Sequence, residues 1–373
     1  MKKMNLILSA LLVLLSACGD NNEPAPVAPQ PGVDVKWTVS PATVSLSARG
    51  ETKSVIVDAN GEWTVKSDQT WCTVNPEQGF SGQTSLKITA TGNSQTEPRT
   101  AQLIFYSKEN SHTYTVTQAA AVIENHVPAG YSLVWEEEFD ADRLSGGKPA
   151  LPDTKKWWYE VEEPGWVNNE LQKYVAGVFN GDTVSAIYDG TLKIIARKQG
   201  NIVISARLNT SESWTYGYFE ARLRVPGGKG TWPAFWMMPK NFESWPDDGE
   251  IDIMEYVGYR PNIVQSSIHT KAYNHVQQSE KTATKPIQNA ETEFHVYATE
   301  WTPDYIKGFV DGVEYFHFPN DKKGNKDTWP FDAPFYLKLN LAWGGDWGGS
   351  QGVDETKLPA TYEIDYVRVF QKN

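Results

Sequence analysis

Apolar residues recur along this chain mostly at every second position, the period of a half-buried strand rather than of a helix. Between residues 35 and 121 the alternating runs are short: Thr43 to Ser47, Lys53 to Val57, Ser85 to Thr89, Ala101 to Phe105 and Tyr114 to Gln118, with Gly, Asn and Pro between them. That spacing predicts a small β-sandwich. Residues 122–129 read as a linker. From Gly130 to the end the chain is richer in aromatics and again strand-like, as in Ser132 to Trp135, Thr191 to Ala196, Tyr218 to Val225, His295 to Trp301 and Ile306 to Val310. No amphipathic helix longer than two turns stands out. The expectation is an all-β protein in which residues 130–373 form one large β-jelly-roll sandwich, preceded by the small immunoglobulin-like sandwich.

The first residues follow another pattern. Lys2 and Lys3 precede an apolar stretch, Leu6 to Leu15, too short to span a bilayer. It closes with Leu15-Ser16-Ala17-Cys18, which resembles a bacterial lipobox. The reading is a signal peptide over 1–17, a lipidated Cys18, and a tether to residue 34 whose Pro, Asn and acids cannot bury a core. The expected location is the cell envelope, lipid-anchored to the outer membrane; the acidic, Asn-rich tether is compatible with exposure on the outer surface. Cys72 is then the one other cysteine, so the mature chain has no intrachain disulfide, and a buried apolar thiol is expected there.

Composition narrows the partners. A formal net charge of −12 argues against nucleic acid or a strongly sulfated glycan, which it would repel. The 15 Trp and 17 Tyr are unusually abundant; core filling accounts for part of them, and flat rings also suit the C–H faces of sugars.

The chemistry concentrates in Asp247-Asp248-Gly249-Glu250-Ile251-Asp252-Ile253-Met254-Glu255-Tyr256. On a strand, Glu250 and Asp252 share one face while Ile251 and Ile253 pack on the other. Glu255 lies five positions from Glu250 and would point away. One extra residue in a β-bulge, with Met254 the natural candidate, returns it to the acidic face. Like charges side by side destabilise a sheet, so three acids on one face need a functional reason; an acidic surface strand or a divalent metal site are the bland alternatives. Retaining glycoside hydrolysis needs two carboxyl groups about 5 Å apart, one a nucleophile and one protonated. Mutual repulsion raises the pKa of at least one of them.

This segment resembles the E-x-D-x-x-E signature of glycoside hydrolase family 16, in the bulged form of its laminarinase-like branch, and the similarity runs over roughly residues 130–372. The resemblance implies Glu250 as nucleophile, Asp252 as helper and Glu255 as acid/base. Other segments add to it. Asn168-Asn169-Glu170-Leu171-Gln172 resembles a stretch lining the family's cleft, with Asn169 as the substrate contact. Gly230-Thr231-Trp232-Pro233-Ala234-Phe235-Trp236 implies Trp232 and Trp236 as subsite walls, although Trp236 fits core packing equally well. In Ser267-Ile268-His269-Thr270, His269 would bond the acids or substrate, or be structural. The run Asn340 to Gly349 resembles a glycine-rich cleft edge, with Asn340, Trp343 and Trp347 offered to the sugar, and Arg207 matches a cleft arginine. No cofactor is expected for catalysis. The resemblance implies a structural Ca²⁺ held by Glu138, the Gly190 carbonyl and Asp365, oxygen ligands that suit the ion.

Residues 35–121 resemble the BACON domain through Trp63-Thr64-Val65, Trp71-Cys72-Thr73-Val74, a glycine around 79–82, Arg99-Thr100-Ala101 and Val116-Thr117-Gln118. A spacer or a glycan-binding module both fit. The whole chain reads as an endo-acting retaining β-glycanase on β-1,3 or mixed-linkage β-1,3/1,4 glucan. The alternatives are an endo-β-galactosidase on mucin-type O-glycans and a non-catalytic surface glycan-binding protein.

Overall fold

The computed structural model describes residues 35–373 apart from 49, 94, 96, 109, 121–124, 140–148 and 189. The signal peptide, Cys18 and the tether lie outside the described residues. The described part is almost entirely β, and among these residues no helix is long and apolar enough to cross a membrane.

Residues 35–118 form a sandwich of a four-stranded and a five-stranded sheet. Its core takes alternate positions, such as Val55 and Val57 from one strand, Leu86 and Ile88 from another, and Leu103 and Phe105 from a third. Cys72 is buried and free, and burial pushes its thiol pKa up.

The larger unit packs a ten-stranded sheet and a seven-stranded sheet around one core. The seven-stranded sheet carries the site. In chain order its strands are β1 (Trp157–Tyr159), β2 (Arg207–Thr210), β3 (Thr231–Pro239), β4 (Glu250–Tyr256), β5 (Ile263–His269), β6 (Lys281–Pro286) and β7 (Phe335–Trp343). Across the sheet they run β1-β2-β7-β3-β4-β5-β6, all antiparallel.

Alternation decides what each strand shows. In β3, Phe235 and Met237 enter the core while Trp232, Ala234, Trp236 and Met238 line a cleft on the other face. In β7, Phe335, Leu337, Leu339, Leu341 and Trp343 are core, and Tyr336, Lys338 and Asn340 face the cleft. Trp343 therefore does not stack on sugar. It is 1% exposed, with its indole packed under Gly230, and the expectation of a platform there is corrected by the parity of its own strand.

The alternation breaks once in β4. Against β3, Asp252 pairs with Trp236 and Met254 with Phe235, which leaves Ile253 without a partner. Against β5, Asp252 faces Ser267 and Glu255 faces Gln265, so Ile253 and Met254 together oppose Ser266. The bulge expected from the sequence is present, but the residue skipped against β3 is Ile253 rather than Met254. Both side chains are buried in the core, and the double inward step restores Glu255 to the cleft face.

Replacing Trp343 with Ala leaves a large cavity in the core of the catalytic unit. Urea denaturation of W343A is expected to show a loss of about 3–5 kcal/mol, the usual cost of a buried large-to-small aromatic change.

Candidate active site

The cleft has a volume of about 620 Å³, with Glu250, Asp252 and Glu255 along one wall. Gly249 sets the strand's start. Its φ is +90°, and a Cβ there would come within 2.7 Å of Pro330 and 2.9 Å of Phe331. The preceding turn is tied by Asp248, whose Oδ2 accepts from the backbone N–H groups of Glu243 and Ser244, both at 2.8 Å.

Each glutamate accepts one indole N–H. Trp245 Nε1 donates to Glu250 Oε2 at 2.9 Å, and Trp232 Nε1 donates to Glu255 Oε1 at 3.1 Å. Asp252 is buried between them, and its Oδ2 lies 3.2 Å from His269 Nε2. His269 sits opposite Glu250 in the β4–β5 register and is itself buried. It touches the acid rather than lining the cleft, so of its two sequence readings the contact with the acids is the one the structure supports.

Burial dominates the electrostatics. Asp252 titrates well above the carboxylate range, first because it is desolvated, then because Glu250 repels its charge and hydrogen-bonds its protonated form. Glu255 is also held well above its ordinary value, by burial first and then by Asp252, with Glu250 adding less; His269 and the Trp232 N–H oppose the shift. Burial and mutual repulsion therefore favour a proton on Asp252, from which it can donate to Glu250, and a proton on Glu255 beyond the ordinary glutamate range.

Glu250, Asp252 and His269 each offer an atom within 4.8 Å of the others, the donor types of a metal site. Trp245 and Asp252 already engage Glu250, which fits a carboxylate prepared for covalent chemistry.

Other predicted residues fall into place differently. Arg207 and Asn340 line the cleft, though both are largely buried. Asn340 Oδ1 accepts from Trp236 Nε1 at 2.7 Å and fixes that ring on the cleft side, not in the core. Asn169 does not line the cleft. Its Nδ2 donates to both Asp346 oxygens, at 2.9 and 3.0 Å, and the neighbouring Asn168 lines the cleft instead. This pins the 168–170 turn to the 344–348 loop, where a Cβ on Gly345 would lie 2.8 Å from the Asn168 carbonyl oxygen. Trp347 likewise lies off the cleft lining. It meets Trp232 edge-to-face at 5.4 Å and braces the ring that bonds Glu255.

The acids expected to hold calcium have arginine partners in this structure. Both Glu138 oxygens accept from Arg368, at 2.7 and 2.8 Å, and Asp365 Oδ2 accepts from Arg222 at 2.6 Å. Guanidinium groups thus already supply positive charge to these two carboxylates.

The sequence reading missed Trp245, Trp166, Glu160, Lys338 and His275, all of which line the cleft. Trp245 alone had a local signal, its place just before the Gly249-Glu250 start.

A sandwich of two sheets, antiparallel but for one parallel edge pairing, with a carboxylate-lined open cleft is the architecture of a polysaccharide-cutting glycosidase. The chain belongs to glycosyl hydrolases family 16, whose family model matches residues 171–368, and the model of the viral BACON domain matches residues 36–121. A β-glucanase of Rhodothermus marinus is 47% identical over 254 residues, covering 65% of this chain and 85% of that protein. The solved structure of SCLam, a non-specific endo-β-1,3(4)-glucanase, superposes with a TM-score of 0.61 at 44% identity, over 66% of this chain and 93% of that one. A keratan-sulfate endo-1,4-β-galactosidase of Sphingobacterium multivorum is 30% identical over 259 residues, covering 65% of this chain and 55% of that protein.

The raised Glu255 pKa has a thermodynamic sign. A carboxyl whose folded pKa exceeds its unfolded value stabilises the fold at low pH, and that contribution is lost as pH rises toward the folded value, at about 1.4 kcal/mol per unit of displacement. Glu255→Gln keeps the position neutral. Its melting temperature is expected to match the parent near pH 4 and to exceed it as pH rises above the ordinary glutamate range, as read by calorimetry.

Proposed function

We propose that this protein hydrolyses internal β-1,3 or mixed-linkage β-1,3/1,4 bonds of glucans by retaining double displacement. Glu255 gives its proton to the glycosidic oxygen while a Glu250 oxygen attacks the anomeric carbon. The leaving chain departs protonated, and the sugar stays as an ester on Glu250. Esterification removes the Glu250 charge that helped raise Glu255, so Glu255, now ionised, is the better placed to take a proton from water. That water attacks the anomeric carbon, releases Glu250 as a carboxylate and returns the original configuration.

Asp252 donates to Glu250 and orients it. Trp245 and Trp232 hold the two glutamates, and Trp236 and Trp166 offer flat faces to the chain. The observation that carries this reading is the bulge at Ile253–Met254, which puts Glu250 and Glu255 on one cleft wall. The relatives named as a β-glucanase and an endo-β-1,3(4)-glucanase support a glucan as substrate.

A second reading keeps the mechanism and changes the sugar to a β-galactoside of a mucin-type glycan; the endo-β-galactosidase relative favours it. In either case we place the enzyme at the cell envelope, anchored through lipidated Cys18, with residues 35–121 as spacer or accessory module.

Product profiling by mass on laminarin, barley β-glucan and mucin O-glycans tests the assignment. Oligosaccharides from laminarin and barley glucan are expected, and their loss to background in Glu250→Gln. Trimming of mucin glycans with both glucans left intact would transfer the assignment to the second reading. Equal activity of Glu250→Gln and parent would end the enzymatic one.

A further inference from the structure

One carboxylate beneath the cleft serves two cations. Glu160 pairs with the buried Arg207, and both its oxygens accept from Lys338 Nζ, at 2.9 and 3.0 Å. Lys338 is 1% exposed, and its Nζ also donates to Asn209 Oδ1 at 2.5 Å. The strand register explains the cluster: Lys338 of β7 stands opposite Asn209 of β2 on one side and opposite Trp236 of β3 on the other. Three N–H groups meet three acceptor atoms, so the lysine has no donor left for a sugar.

Both cations lie against the same indole. Arg207 Cζ is 4.8 Å from the Trp236 ring centroid and Lys338 Nζ is 4.9 Å from it. Arg207 also reaches the Trp166 ring, at 5.0 Å, so it stands against both indoles. With Nε1 held by Asn340, the Trp236 ring is fixed through its edge and by charge.

We propose that Glu160 and Lys338 are positioning residues that lock Trp236 as a sugar platform, Glu160 gathering Arg207 and Lys338 against the ring while only the indoles and Arg207 meet the glycan. This rests on the glycanase reading of the cleft. A platform fixed before binding saves the cost of ordering it, which for one side chain corresponds to about a three- to tenfold difference in affinity.

The charge count adds a signature. Glu160 is the carboxylate bonded to both cations, with Glu170 acting on Arg207 from farther off, and Lys338 is lowered to about 7, by burial first and then by Arg207, against the pull of Glu160 and the more distant Glu250. The groups around it are Glu160, Arg207 and Asn209 on the β1–β2 side, Tyr336 and Asn340 on its own strand, Trp236 on β3 and Glu250 on β4. As pH rises through that value the second cation is lost and the hold on Trp236 loosens.

Lys338→Met removes one cation and leaves Glu160 and Arg207 paired, while the buried Asn209 Oδ1 loses its donor, so the variant is expected to fold with a melting temperature close to the parent's. With laminarin as substrate, its KM is expected to rise about three- to tenfold with kcat within twofold. The parent KM should climb between pH 6 and 8, and the variant's should not. Independently of turnover, the Trp236 indole N–H resonance of the full-length protein, identified by its loss in Trp236→Phe, should shift over the same pH range in the parent only. A parental KM in Lys338→Met, together with an indole resonance that stays unshifted across that range in the parent itself, would overturn the proposal. A parent that cleaves no β-glucan would sink the glucanase reading, and the indole resonance would still decide this one.

Discussion

The site depends on a parity constraint. A strand shows alternate residues to alternate faces, so two glutamates five positions apart are assigned to opposite sides of a sheet. In this sheet one side is the core and the other the cleft, and a glutamate turned inward would be a charge buried among Phe235, Leu339 and Ile251. The bulge at Ile253–Met254 resolves the conflict by sending two consecutive apolar residues inward. Its position between two paired strands, β3 and β5, holds the distortion in place from both sides.

Crowding of like charges follows, and the protein turns it to use. Three acids with little water between them cannot all ionise, so Asp252 and Glu255 keep their protons longer than free carboxyls do. Two indole N–H groups take the glutamate oxygens, and each indole belongs to a separately braced segment: Trp232 against Trp347, and Trp245 over His275 at 4.9 Å between centroids. The charged site is thus held by apolar rings that also shape its walls. Next to it, Trp236 lies against two basic side chains, Arg207 and Lys338.

Much of this was legible in the chain. Period-two patterning gave the all-β class and located the strands, because burial on one face writes itself directly into sequence. The three acids and the need for a bulge were readable for the same reason. Trp343 was misjudged although its strand held the answer: Phe335, Leu337, Leu339 and Leu341 set the inward parity and Trp343 continues it. Asn169 and Trp347 sit beside the cleft lining for reasons of another kind. Their roles are fixed by loop-to-loop contacts, with Asp346 and with Trp232, that no local pattern encodes. Glu160 and Lys338 lie 178 positions apart and meet only because β7 is inserted between β2 and β3. The arginine partners of Glu138 and Asp365 likewise depend on strand register, which no local pattern encodes.

Chemical rescue by azide reads the placement of the two glutamates most directly, using an aryl β-glycoside of a laminari-oligosaccharide as substrate. With Glu250→Ala, azide should occupy the vacated space below the ring and yield the α-glycosyl azide. With Glu255→Ala, azide should attack the glycosyl-enzyme from above and yield the β-glycosyl azide. The β-azide from Glu250→Ala, or the α-azide from Glu255→Ala, would contradict the account, as would azide that rescues neither variant.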